Sequence, residues 1–277
     1  MTAADLLAPV AEHRLRSFDG TMLRWFEAGR GYPILVSLPI GLHRDFLLPL
    51  IESAGDRYRF IYLQSRGLWG SEASANPQND TVEAHGRDLA DVAAAASLSD
   101  YAALGYCGGS APLVIAAGRA PVPPRRLLLL STLFRRSGFE EIVTHLADRL
   151  RASDRPDTYR MILHIAFRFG APQFRDLAIE EICSAEKLAG FLAQLSSLYR
   201  YTFPVRLAVT QDITIAVAQH DIDAIRTSSE AFLGGLDHPD ARLIDLDEAG
   251  HFLLFEDPRR VAALLDRWLA PSSGELS

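Results

Sequence analysis

At Gly105-Tyr106-Cys107-Gly108-Gly109 an apolar run ends and a stretch rich in small residues begins. Glycines two positions either side of a central residue let a strand turn sharply into a helix without a Cβ clash. The residue at the apex is then held above the end of a sheet in a strained backbone conformation, the geometry of a nucleophile elbow. Here the apex carries a thiol, which points to acyl chemistry through a thioester. Cys107 is therefore the candidate nucleophile.

Two later segments supply partners. After a second apolar run, Ile213 to Gln219, comes His220-Asp221-Ile222-Asp223. After a third, Ala241 to Leu246, comes Glu248-Ala249-Gly250-His251-Phe252. Nucleophile, acid and histidine thus follow in that chain order. His251 is the candidate general base, able to take the thiol proton and later return it. Asp221, at a strand end, is the candidate that orients the imidazole and stabilises its charged form, with Asp223 as the alternative. A cysteine site depends on that acid less than a serine site, because an adjacent imidazolium holds a thiolate as an ion pair. The helix that begins at Gly108 directs its dipole at the sulfur, and the Gly108 N–H is a candidate oxyanion donor.

With these residues in order, the chain resembles the α/β-hydrolase-fold superfamily over about residues 10 to 270. Three further stretches carry the resemblance. Arg66-Gly67-Leu68-Trp69-Gly70-Ser71 is similar to an R-G-x-G-x-S loop after the fourth strand. Gly250-His251-Phe252 with Glu256-Asp257-Pro258 is similar to a G-H-F…E-x-P ending. Pro33 to Gly41 is similar to the strand and oxyanion loop that usually ends in H-G, here replaced by Leu38-Pro39-Ile40-Gly41. Pro39 has no N–H, so Ile40 or Gly41 must supply the second oxyanion donor.

Short apolar strands alternate with helical segments, the pattern of a mostly parallel sheet. The predicted strands lie near 12–18, 22–28, 33–38, 59–64, 101–106, 126–131, 213–219 and 241–246. Predicted helices lie near 45–54, 82–97, 109–119, 224–234 and 257–269, with Asp80-Thr81 capping the second. The expected architecture is an eight-stranded α/β-hydrolase core formed by residues 1–132 and 206–277. Residues 133–205 show only helical patterns, as in Phe139 to Arg151 and Ala185 to Tyr199, and are expected to form an inserted helical lid.

Composition narrows the function. The chain of 277 residues carries a net charge of −7, which argues against a general nucleic-acid binder. No segment reaches the roughly 18 apolar residues a membrane span needs. The start, Met1-Thr2-Ala3-Ala4-Asp5, lacks the basic stretch of a secretory signal. Two cysteines far apart make no disulfide framework, so a reducing, cytoplasmic setting is expected, with no metal or cofactor. Cys183 has no elbow around it and reads as packing. Lid arginines, Arg135 and Arg136 among them, read either as a solvated helix surface or as a docking face for an acidic partner.

Exchange of one thioester for another is nearly isoenergetic, so a cysteine elbow suits transfer of acyl groups between thiols. Dienelactone hydrolases, polyhydroxyalkanoate synthases and the aminoacyl-shuttle enzymes of nonribosomal peptide assembly all resemble this elbow. Length, lid and thiol are most similar to the last group. That resemblance implies an acyl- or aminoacyltransferase working on carrier-bound thioesters. A thioesterase or an ester or lactone hydrolase is the alternative, and a non-catalytic binding protein on the same fold is a third reading.

Overall fold

Eight strands form one sheet in a computed structural model that describes residues 10–134, 145, 181, 182, 184–201, 212–221, 223–236, 238 and 240–270. The strands are β1 (Ala11–Arg16), β2 (Met22–Gly29), β3 (Tyr32–Ser37), β4 (Tyr58–Leu63), β5 (Ala102–Tyr106), β6 (Arg126–Leu130), β7 (Asp212–His220) and β8 (Arg242–Gly250). Their order across the sheet is β1-β2-β4-β3-β5-β6-β7-β8. The pairs β1/β2 and β2/β4 are antiparallel. From β4 through β8 every pair is parallel.

The parallel strands are apolar on both faces because helices cover both. Alternate residues of β6 show it: Leu127 and Leu129 join one core, Leu128 and Leu130 the other. The first core takes in α2 (Val82–Ala95), α3 (Ser110–Ala117), α4 (Ala185–Arg200) and α5 (Asp223–Gly235). The second packs under α1 (Leu48–Ala54), α6 (Leu253–Glu256) and α7 (Pro258–Leu269). Thr81 caps α2, its hydroxyl accepting from the Ala84 N–H at 3.2 Å.

The structure refines several expected boundaries. β8 runs on through Gly250, four residues past its last regular apolar position, so it delivers the chain directly to His251. The helix expected at 257–269 is preceded by the separate short helix α6, and Asp257 caps α7 by accepting from the Arg260 N–H at 3.3 Å. Of the expected lid, α4 is described and packs on the first core through Leu188, Phe191, Leu192 and Leu198. The segment 139–151 apart from His145, the arginines at 135, 136, 149, 151, 155, 160, 168 and 175, and Cys183 lie outside the described residues. Among the described residues no helix is long and apolar enough to cross a membrane.

Candidate active site

Cys107 follows β5 directly and has φ +48°, a conformation an L-residue rarely adopts. The flanking glycines make that turn possible. A Cβ on Gly105 would stand 2.8 Å from Ser110 Cα, and one on Gly109 would stand 2.3 Å from the Ser37 carbonyl oxygen. No side chain fits at either place, because both obstacles are backbone atoms. The elbow is thus wedged between the end of β3 and the start of α3. Cys107 is partly buried and packs against both cores, which meet at this end of the sheet.

The register of β7 on β8 brings the other two candidates together. His220 pairs with Gly250, so the next residue of each strand, Asp221 and His251, leaves the sheet beside the other. His251 Nδ1 lies 2.8 Å from Asp221 Oδ1. The Asp221 side chain is 1% exposed, whereas His251 keeps 23% of its side chain open. Cys107 is near enough to the same imidazole to act on its charge. Burial opposes a charge on His251, but the hydrogen bond to Asp221 and the pull of Cys107 and Asp221 outweigh it and push its pKa up to about 10. The backbone of Asp223 opens α5, and its side chain lies outside the described residues.

The loop Leu38-Pro39-Ile40-Gly41 runs beside the elbow. Gly41, at φ +90°, is covered by Phe191 of α4. Its N–H donates to Ser65 Oγ at 3.3 Å. Its carbonyl accepts from the indole Nε1–H of Trp69 at 3.0 Å. Ile40 is buried. Gly108 lies under Leu198 of α4, whose Cδ2 would be 2.8 Å from an added Cβ.

Trp69 is a participant that sequence reasoning placed only within a loop motif. It has φ +53°, and its backbone N–H donates to Glu181 Oε1 at 2.7 Å. Glu181 in turn holds Lys187 of α4 at 2.6 Å. His43 packs against the same indole at a tilt, with 4.4 Å between ring centroids. Through Glu181 and Lys187, α4 is therefore tied to the Arg66 loop and the Gly41 loop at one residue, Trp69. A positive φ at a non-glycine in a G-x-x-G loop was the only available signal, and sequence does not display φ.

The sheet order, the elbow after β5 and the strand-end positions of Asp221 and His251 decide the architecture. The chain has the α/β-hydrolase fold. A thermophilic esterase from Thermogutta terrifontis superposes with a TM-score of 0.74 at 21% identity, covering 94% of this chain and 98% of that one. An enol-lactonase from Burkholderia xenovorans LB400 gives 0.74 at 16% identity, covering 94% and 100%. In sequence, the chain is 26% identical over 229 residues to RutD of Azorhizobium caulinodans, a protein assigned as a carbamate hydrolase, spanning 80% of this chain and 85% of that one. No family model matches the chain. The relatives are named as an esterase, an enol-lactonase and a carbamate hydrolase.

Proposed function

We propose that the chain is a cysteine hydrolase that cleaves a carboxylic ester, lactone or thioester through an acyl-Cys107 intermediate. The observation that carries this reading is a single imidazole, His251, hydrogen-bonded to buried Asp221 and near enough to elbow Cys107 to interact with it. The character of the fold's relatives supports hydrolysis over transfer.

In the first half-reaction the Cys107 sulfur, its proton held by His251, attacks the substrate carbonyl. A cationic imidazole is the partner a thiolate needs, and Asp221 keeps it cationic and oriented. The oxygen that becomes negative is met by the N–H groups of Gly108 and Ile40. The Gly41 N–H is already shared with Ser65. Collapse breaks the bond to the leaving group, which takes the proton from His251. A thioester on Cys107 remains. In the second half, neutral His251 takes a proton from water as the water oxygen attacks the thioester carbon. The C–S bond breaks, the acid is released, and the thiolate–imidazolium pair is restored.

Intact-mass spectrometry with a panel of small esters, lactones and thioesters tests this. The expected result is an acyl adduct on the wild type and on Cys183→Ala, none on Cys107→Ala, and decay of the adduct to free acid in buffer alone. Discharge by an added pantetheine thiol much faster than by water would make the reaction transfer between thiols. An adduct that depends on Cys183 would remove Cys107 from the mechanism.

A further inference from the structure

Inward and outward residues alternate along a regular strand, and β8 breaks that alternation. Leu246 is buried and Asp247 exposed, but Glu248 is exposed as well and Ala249 is buried. Glu248 stands at φ +50°, a left-handed conformation that its Cβ opposes. Ala218 of β7 pairs with Leu246, yet His220 pairs with Gly250, so Asp247, Glu248 and Ala249 stand against Gln219 alone. This is a β-bulge, in which surplus residues of one strand leave the ladder.

The bulge decides which residue meets Asp221. Continued in the register of Ala218 with Leu246, the ladder would put Ala249 beside Asp221, with His251 past it. With the bulge, Asp221 and His251 leave the sheet side by side, and the 2.8 Å contact between Oδ1 and Nδ1 forms. β7 turns at the same level, where the Asp221 N–H donates back to the Ala218 carbonyl at 3.1 Å.

One side chain joins the two irregularities. Gln219, inside the turn of β7, accepts from the Glu248 N–H at 2.7 Å through its Oε1. That N–H belongs to the residue with the unfavourable φ, so the bond offsets part of the cost of holding Glu248 there. Both residues are exposed, so neither is needed to fill the core. The amide also supplies its acceptor without charge, in a stretch that already carries Asp221, Asp247 and Glu248.

We propose that Gln219 is a positioning residue for His251, its side-chain carbonyl holding the β8 bulge in the register that sets the imidazole against Asp221. The inference rests on His251 being the base of the proposed reaction, but its first readout needs no acyl chemistry. Gln219→Met keeps the length of the side chain and removes the acceptor. An NMR titration should show the His251 pKa below the wild-type value of about 10. For hydrolysis of p-nitrophenyl acetate, kcat should fall roughly 3- to 10-fold, the worth of one hydrogen bond, with KM unchanged. Adding Glu248→Gly, which takes φ +50° without a Cβ, should restore both quantities. A Gln219→Met protein with a lower urea midpoint but wild-type pKa and kcat would make the bond merely structural and overturn the proposal. Failure of Glu248→Gly to recover the loss would overturn it too. If the wild type forms no acyl adduct at all, the hydrolase reading fails, and the His251 pKa by itself still decides the role of Gln219.

Discussion

The hydroxyl of Tyr106 donates a 2.6 Å hydrogen bond to the carbonyl oxygen of His251. The residue just before the candidate nucleophile thus anchors the backbone of the candidate base, across the sheet from β5 to the end of β8. Tyr106 is 1% exposed, so no water replaces the bond if the hydroxyl is removed. Tyr106→Phe is expected to lower stability by about 1 kcal/mol, the net worth of such a bond. It should also slow acylation of Cys107 more than it changes substrate affinity, because it loosens the His251 loop and not the binding walls. Chemical denaturation together with separate kcat and KM values checks this. A variant with wild-type kcat would show that the anchor has no part in positioning.

Asp221→Asn removes the negative charge 2.8 Å from the imidazole. The His251 pKa should then fall from about 10 toward its ordinary value of 6.5. Acylation should slow by roughly 10- to 100-fold, less than the 10²–10⁴-fold expected for His251→Ala, since proximity of the imidazole to the sulfur survives. Asp223→Asn should have little effect. Single-turnover rates for the three variants decide between the two acids, and greater damage from Asp223→Asn would reassign the role.

The raised pKa of His251 makes stability depend on pH in a defined direction. The folded state binds this proton more tightly than the unfolded chain, where the value is 6.5. The contribution is present in full below pH 6.5 and is lost as pH rises through about 10. Thermal denaturation of the wild type and of His251→Gln should therefore show a Tm difference that narrows between those two values. A difference that stays constant or widens with rising pH would show that His251 does not hold its proton in the folded state.

Gly109→Ala forces a Cβ to within 2.3 Å of the Ser37 carbonyl oxygen, a backbone atom that moves only if β3 moves. The expected cost is about 1–3 kcal/mol or more, with loss of acylation as the elbow shifts. Gly190, inside α4, has no atom within 4 Å of an added Cβ. Gly190→Ala should instead stabilise the chain by roughly 0.5–1 kcal/mol through helix propensity and a less flexible unfolded chain. Urea denaturation of both variants reads the opposite signs.

Much of this architecture is written locally. Cys107 between its glycines, the apolar runs that alternate with helices, and Asp221 and His251 each just beyond such a run follow from short-range rules of turn sterics and periodicity. So does the cap at Thr81. Tertiary structure decided what local rules do not reach. The pairing of His220 with Gly250 sets Asp221 against His251, and sheet register depends on strands far apart in the chain. Trp69 reaches the Gly41 carbonyl and Glu181, and Tyr106 reaches the His251 carbonyl, because side chains meet where packed elements converge. Asp80 reads in sequence as a residue beside a helix cap. Only the fold buries it next to an arginine already committed to Asp19 and Asp88, because the burial and partners of a charge are properties of the assembled core.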